Sequence, residues 1–185
     1  NIYVVTVRAT DSAGNTSDQT VTTTVTDIDD TSPTITGPSG NAGVATSSTS
    51  ITENSSIVHT FTATDPDSSS LSWSISGADK DLFTINSSTG VLTFSSAPDY
   101  ENPTDSNTDN SYVVTVRATD SVSNISDQTL TATVTDIDDT SPTITGPSGS
   151  AGSTTSSLSI TENSTVVHTF TATDPDSSSL SWSIS

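Results

Sequence analysis

The chain has 185 residues and a formal net charge of −19, because 22 acidic residues stand against three basic ones. Binding to a nucleic-acid backbone needs a surface rich in Lys and Arg, so the composition excludes that function and argues against an anionic membrane surface as a partner. The sequence contains no Cys, which excludes a disulfide framework and a thiolate metal site.

Alternation of Thr, Val and Ile along the chain indicates strands rather than disorder. The segment 114–119 reads Val-Thr-Val-Arg-Ala-Thr. Such β-branched residues suit a pleated surface, and a strand that buries one face needs an apolar residue only at every second position. A hydrophobic content of 29% is therefore compatible with a folded chain, although it would otherwise suggest disorder.

Seven short strands are predicted in chain order within one unit, and no segment has a 3.6-residue period. The first strand is broken into a part at Ile35 and a part around Ile51, with a loop rich in Gly, Pro and Ser between them. The second strand, Ile57–Thr64, is expected to point Ile57, His59, Phe61 and Ala63 to one side, and the third carries Leu71, Trp73 and Ile75 on one face. The next two strands are Phe83–Ile85 and Leu92–Phe94, the sixth is lined by Tyr112, Val114, Val116 and Ala118, and the seventh by Leu130, Ala132 and Val134. This pattern predicts an all-β fold, a seven-stranded Greek-key β-sandwich of immunoglobulin-like type.

The sequence repeats itself with a period of 109 residues. The segment that begins at Tyr3 returns at Tyr112, and 64 of the 76 comparable positions (185 − 109) are identical. A unit of this length matches one small domain, so we expect tandem sandwiches within a longer array. The predicted division is the C-terminal part of a repeat at 1–30, a complete repeat at 31–139 and the N-terminal part of the next repeat at 140–185.

Acidic residues cluster at the ends of the predicted strands and in the connector between units. Like charges about 4–5 Å apart repel by about 1 kcal/mol per pair even in water, so such a cluster needs a cation or must stay spread out. Oxygen ligands without Cys or nearby His favour Ca²⁺ over Zn²⁺ or Cu²⁺, and Mg²⁺ fits less well because it demands strict octahedral geometry. The sequence therefore predicts Ca²⁺ as the cofactor.

Six motifs in order resemble those of cadherin-type repeats, in the form found in large bacterial repeat adhesins and surface proteins. The motifs are ITENSS, TFTATDPD, LFTINSSTGVLTF, PDYEN, VRATDS and DIDDTSP, and together they cover the whole unit. The last of these stands where the family has Asp-x-Asn-Asp-Asn-x-Pro.

The resemblance implies calcium ions between successive repeats. The first junction would use Asp27, Asp29 and Asp30 with Asp65, Asp67 and Asp120. The second would use Glu53, Asp99 and Glu101, then Asp136, Asp138 and Asp139, then Asp174 and Asp176. Asp11 and Glu162 would serve other junctions, and six acids stay unassigned: Asp18, Asp79, Asp81, Asp105, Asp109 and Asp127.

The linker departs from the family pattern at two positions. Asp stands where the family has its first Asn, and Thr31 or Thr140 stands where it has the second. The additional charge either raises the calcium affinity or changes the number of bound ions, and both two and three ions per junction stay open.

Other residue types have simpler interpretations. His59 and His168 could be metal ligands or a pH switch, but their place on the core-facing side of a strand favours buried or half-buried core residues. Trp73 and Trp182 could stack on a sugar, but their alternation with apolar residues favours core packing. Asn-x-Ser/Thr triplets are expected from composition alone. Nothing supplies a nucleophile with a base or an oxyanion hole, so an enzyme is not predicted.

The expected function is that of a calcium-dependent, rod-forming segment of an extracellular cell-surface adhesin, belonging to a full-length protein that is anchored in the outer membrane or secreted. Its expected partners are neighbouring repeats of the same chain and identical repeats on other cells, without nucleic acid or membrane contact by this segment. The alternative is a passive stalk, stiffened by calcium, that presents a separate binding domain.

Overall fold

Residues 1–67, 70–177 and 179–185 are described by the computed structural model of the chain. Within these residues the regular structure is β except for one short 3₁₀ helix, Lys80–Leu82. The strands are β1 (Ile2–Thr10), β2 (Thr16–Thr24), β3 (Thr34–Thr36), β4 (Thr46–Thr52), β5 (Ile57–Thr60), β6 (Thr62–Thr64), β7 (Ser72–Ser76), β8 (Phe83–Ile85), β9 (Val91–Phe94), β10 (Ser111–Thr119), β11 (Ile125–Thr135), β12 (Thr143–Thr145) and β13 (Thr171–Thr173).

Strands β3 to β11 form the two layers of a β-sandwich. One layer has the order β4-β11-β10-β7, and the other consists of the sheet β5-β9-β8 with the pair β3-β6. Strand β4 runs parallel to β11, whereas the other pairs are antiparallel. The first strand is broken into β3 and β4, as the sequence predicted, and the structure places its two parts in different layers. The all-β sandwich fold is confirmed.

The core lies between the layers and comes from the alternating positions of the strands. In β10 every second residue is buried, beginning with Tyr112, which is 1% exposed. Leu92 and Leu130 contribute from β9 and β11 and are fully buried. Burying one such aliphatic side chain contributes about 1.5–3 kcal/mol, so short strands with one apolar face suffice for a core.

Strand β5 differs from the prediction at its first residue. Ile57 is 69% exposed, while Val58 is 7% exposed and faces the core. The pairing of β5 with β9 shifts between Ile57 and His59. At this bulge the alternation changes, so that Val58 instead of Ile57 faces the core. His59 is half-buried, as expected, with its ring edge-on to Phe61 at 5.1 Å, and partial burial lowers its pKa.

A buried amide in β11 bonds to β4 and to the residues just before it. Gln128 is fully buried, accepts a hydrogen bond from Ser47 Oγ at 3.1 Å and donates one to the carbonyl of Val44 at 2.8 Å. A Cβ at Gly37 would lie 1.9 Å from the amide oxygen of Gln128. Glycine is therefore required at this close approach.

The two flanking segments repeat parts of this unit without its core. Strands β1 and β2 pair in the same register as β10 and β11, but all their residues are exposed. The predicted core position of Trp182 is wrong in this structure, because that side chain is 55% exposed whereas Trp73 is 7% exposed. Residues 140–185 correspond to 31–76 and include no counterpart of β10 or β11, so this ring has no opposite layer to contact.

Candidate metal centres

The predicted junction acids lie where strands end. The first linker follows β2 and the second follows β11, so each leaves the last strand of one unit and enters the next. Asp65 and Asp120 come directly after β6 and β10. Strand ends at one edge of a sandwich place polar side chains beside each other, and the linker crosses that edge.

Carboxylates of the first linker and the complete repeat meet in one group. Asp29, Asp65 and Asp120 each offer an oxygen, and these oxygens lie within 4.8 Å of one another. Asp120 is 7% exposed. Its Oδ1 accepts hydrogen bonds from the backbone N–H groups of Val122 and Asn124, which fix the side chain at this edge.

The electrostatics of this first group differ between its members. Partial loss of water raises the pKa of Asp29, and the negative charges of Asp120 and Asp65 raise it further. Loss of water acts in the same direction on Asp120, but hydrogen bonds from Asn124 and the following loop outweigh it and lower the pKa of that carboxyl. The group therefore carries repulsion that a bound cation would relieve.

The second region is larger and contains three overlapping groups. Each group again has oxygens within 4.8 Å of one another. They consist of Glu53, Glu101 and Asp136; of Glu101, Asp139 and Asp176; and of Asp138, Asp174 and Asp176. Glu101 and Asp176 each belong to two groups, so a continuous row of carboxylates runs from the complete repeat through the linker to the next segment.

Glu53 is the most buried member of the row, with 3% exposure. Its Oε1 accepts a hydrogen bond from Ile137 N and its Oε2 one from Tyr100 N, both at 2.8 Å. A buried carboxylate is costly unless such donors satisfy it. Glu53 therefore holds the linker and the loop that carries Glu101 in fixed positions.

Carboxylates in the row repel one another when all of them are ionised and no cation lies between them. Partial loss of water and the neighbouring Asp176 and Glu53 raise the pKa of Glu101 to about 7. Loss of water and the charges of Asp176 and Glu53 also raise the pKa of Asp136. Acids in contact need either a proton or a metal ion between them.

The donor set fits a hard divalent cation. Oδ2 of Asp176 accepts hydrogen bonds from Thr140 N at 2.7 Å and Asp139 N at 3.1 Å, while its Oδ1 is buried and has no hydrogen-bond partner. All the groups present oxygen atoms, which are the ligands that Ca²⁺ takes. A buried, unpartnered oxygen inside a row of carboxylates is suited to such an ion.

The three basic residues of the sequence do not compensate these acids. In the described part of the chain they pair with acids that the junction assignment left out: Arg8 with Asp18, Lys80 with Asp81 and Arg117 with Asp127. The pairs of Arg8 and Arg117 have the same register in the two copies. The junction acids are therefore not neutralised by basic side chains in the described part of the chain.

Ten of the fourteen predicted ligands are brought together by the structure, and their role as ligands stays a prediction. They are Asp29, Glu53, Asp65, Glu101, Asp120, Asp136, Asp138, Asp139, Asp174 and Asp176. The other four, Asp27, Asp30, Asp67 and Asp99, do not join these groups among the described residues. Asp67 donates its backbone N–H to Asp65, and Asp99 accepts a hydrogen bond from Asn102 N.

Two buried acids and two amides near the junctions were missed by the sequence reasoning. Asp79 is 3% and Asp105 4% exposed. Asp79 accepts backbone hydrogen bonds from the loop before β10 and from β10 itself, and Asp105 accepts them from residues of its own loop. Asn54 donates to Asp139 Oδ2 at 2.6 Å, and Asn124 donates to the first linker. A usable signal for Asn124 was the spacing Asp-x-x-x-Asn, which occurs in both copies of this loop.

The fold and the acidic edges define a β-sandwich repeat with carboxylate groups at its ends, and the comparisons with known proteins specify the family. Residues 47–135 match the family described as Cadherin domain. No curated protein is similar enough in sequence to count as a match. Residues 47–135 therefore form a cadherin domain.

Solved structures of cadherins share this fold. The chain is 21% identical to human CDH23 EC21-23, with a TM-score of 0.64. The match covers 95% of this chain and 55% of that one. Protocadherin Gamma B7 extracellular cadherin domains 1-4 are 23% identical with a TM-score of 0.63, and the match covers 95% of this chain and 41% of that one. The Protocadherin gammaB7 EC3-6 cis-dimer structure is 25% identical with a TM-score of 0.58, and the match covers 79% of this chain and 36% of that one. The chain thus spans about two fifths to about half of the length of the first two.

Cadherin domains in general are extracellular repeats that bind calcium. The proteins that contain them are adhesion proteins rather than enzymes. A helix long and apolar enough to cross a membrane does not occur in the described residues.

Proposed function

We propose that this chain is a calcium-dependent, rod-forming repeat segment of an extracellular cell-surface adhesin that mediates adhesion between cells, as in large bacterial repeat proteins. The observation that carries the proposal is the row of carboxylates in the second region. Glu101, Asp139 and Asp176 lie on a repeat, its linker and the next segment, with oxygens within 4.8 Å of one another. One oxygen-ligated ion among them would join three parts of the chain.

The proposed units are 1–30, 31–139 and 140–185, with calcium at both junctions. The first junction takes Asp27, Asp29, Asp30, Asp65, Asp67 and Asp120, and the second takes Glu53, Asp99, Glu101, Asp136, Asp138, Asp139, Asp174 and Asp176. The full-length protein would be anchored at the outer membrane or secreted. Its partners are neighbouring repeats and identical repeats on other cells.

The residues of the chain prepare the junction for the ion. Glu53 fixes the linker at Ile137 and the ligand loop at Tyr100, and Asp176 accepts the backbone N–H groups at the end of the linker. A bound Ca²⁺ takes 6–8 oxygen ligands at about 2.3–2.6 Å and supplies the positive charge that these acids lack. Small polar interfaces between domains otherwise permit motion, so the junction is flexible without metal and stiff with it.

Small-angle scattering of the chain tests the mechanical role. In millimolar calcium we expect an extended particle, and a chelator should shorten it because the repelling carboxylates no longer share an ion. Asp138→Asn with Asp139→Asn should reproduce the chelated profile at the second junction. Asp18→Asn with Asp81→Asn removes the same two charges away from the junctions and serves as the control. A profile that does not respond to chelation contradicts the proposal.

A passive stalk is the second candidate function. It is favoured by the identity of 64 of 76 comparable positions, since near-identical copies suit a spacer whose length matters more than its surface. Beads coated with the chain distinguish the two functions. Calcium-dependent clustering of the beads supports adhesion by the repeats, and beads that stay dispersed in calcium support the stalk.

A further inference from the structure

Asn124 lies in the loop between β10 and β11, where its side chain is fixed by Asp120. The backbone N–H of Asn124 donates to Asp120 Oδ1 at 2.8 Å, and its carbonyl accepts from Asp120 N at 3.1 Å. The amide Nδ2 donates to Asp120 Oδ2, also at 2.8 Å. One N–H of the amide is therefore bonded to Asp120, and because the amide group is planar this bond also fixes the direction of its second N–H.

The second N–H of this amide points to the first linker. Nδ2 lies 3.4 Å from Asp29 Oδ1 and 3.3 Å from the carbonyl oxygen of Thr31. Thr31 and Asp29 precede Pro33, which is buried in the complete repeat. The amide thus connects the linker to the loop after β10, 93 and 95 residues away in sequence.

The first copy of the loop has the same local hydrogen bonds. Asn15 Nδ2 donates to Asp11 Oδ2 at 2.8 Å, and Asn15 N donates to Asp11 Oδ1 at 2.8 Å. Among the described residues this amide makes no contact with a linker. The same local structure therefore forms without the tie, and Asn15 provides a matched control for Asn124.

A neutral donor suits this position because the surroundings are acidic. Asp29, Asp65 and Asp120 have oxygens within 4.8 Å of one another, and the bases of the chain are paired elsewhere. An amide that donates to Asp29 and Thr31 holds the linker against this repulsion without adding a charge. The second linker has a comparable contact, since Asn54 Nδ2 donates to Asp139 Oδ2 at 2.6 Å.

We propose that Asn124 is a positioning residue that ties the first linker to the following repeat independently of any bound ion. On removal of calcium the junction then moves on the upstream side of Asp29, while Asp29 and Thr31 stay attached to the complete repeat. The mechanical consequence rests on the calcium-dependent junction proposed above, but the tie itself is made by residues of this chain alone.

Backbone ¹⁵N relaxation of the whole chain in excess chelator tests the tie. In the unchanged chain the order parameters of residues 29–31 should be near 0.85, as in rigid backbone, and in Asn124→Ala they should fall below about 0.6. Asn15→Ala should leave them unchanged. The backbone bonds between Asp120 and Asn124 survive the alanine substitution, so order parameters of β10 and β11 should not change and a general loss of structure is recognisable.

Two outcomes overturn the inference: residues 29–31 that stay ordered in Asn124→Ala, or residues 29–31 that are already flexible in the unchanged chain. Should the alanine variant fold poorly, Asn124→Asp keeps the size of the side chain, lacks the N–H donor and is expected to loosen the same three residues. Failure of the proposed function is seen separately, as a scattering profile that calcium does not change, because the tie is measured without calcium.

Discussion

Two regions of almost the same sequence have different structures in this molecule. Residues 46–52 form β4, whereas residues 155–161, which differ at one position, form no strand. The difference is the partner, because β4 pairs with β11 and the later segment has no counterpart of β11. By contrast, β12 and β13 repeat the pair β3 and β6, since both partners lie within 140–185.

The comparison teaches that these strands are stabilised by their neighbours rather than by local propensity. Phe61 is 1% exposed, while Phe170, in the identical heptapeptide FTATDPD, is 49% exposed. Thr-rich strands with one apolar residue in two gain their stability only when the second layer covers that side. The complete repeat is therefore the smallest unit with a core in the described chain.

The largest expected effect comes from truncating the same aromatic residue in both regions. Phe61→Ala should lower the free energy of unfolding of the complete repeat by about 3–5 kcal/mol, because it removes a fully buried ring. Phe170→Ala should change it by less than about 0.5 kcal/mol, as expected for a site outside that core. Urea unfolding followed by tryptophan fluorescence measures both, with Trp182→Phe in every variant so that Trp73 is the reporter. Equal effects would show that the flanking segment shares the core.

A smaller effect is expected at Asp79, which lies between β7 and the 3₁₀ helix in a part of the repeat that neither flanking segment contains. Asp79 Oδ1 accepts from Ser106 N at 2.8 Å and Oδ2 from Val113 N at 2.7 Å. Asp79→Asn replaces one acceptor by a donor. This should lower the free energy of unfolding by about 2 kcal/mol, because a buried N–H loses its partner. Asp81→Asn, at an exposed site, is the control. Urea unfolding checks the prediction, and equal stability of the two variants would contradict it.

The smallest expected effect concerns the loops after β1 and β10. Ser123 has a φ of +79°, and the corresponding residue of the first copy is Gly14, with a φ of +87°. Ser123→Gly should stabilise the complete repeat by about 0.5 kcal/mol, since relief of the left-handed strain exceeds the greater entropy of Gly in the unfolded chain. Thermal unfolding with the other loop unchanged measures this difference. A lower melting temperature for the variant would contradict it.

Much of the sandwich could be predicted from the sequence because alternation reports directly which side of a strand is buried. Tyr112, Val114 and Val116 lie in the core as predicted. The reversal at Ile57 and Val58 could not be predicted, because a bulge depends on the pairing of β5 with β9. Trp182 was placed wrongly because its burial depends on strands that lie outside its own segment.

The acidic groups could be predicted only as far as strand ends determine position. Asp29, Asp65 and Asp120 follow strands at one edge, and the structure brings them together. The tie by Asn124 depends on the rotation of one side chain toward a linker 93 residues earlier, which local sequence does not encode. Burial of Asp79 likewise depends on a distant loop, and nothing in the local sequence distinguishes this buried acid from an exposed one.

The parallel pairing of β4 with β11 has a consequence for a chain under tension. The pair extends from Thr46 opposite Thr129 to Thr52 opposite Thr135, so the chain enters at one end of the ladder and leaves at the other. A pull along the chain slides these two strands past each other and loads their hydrogen bonds in shear. The bonds must then rupture together instead of one after another, so the sandwich resists stretching between its two ends.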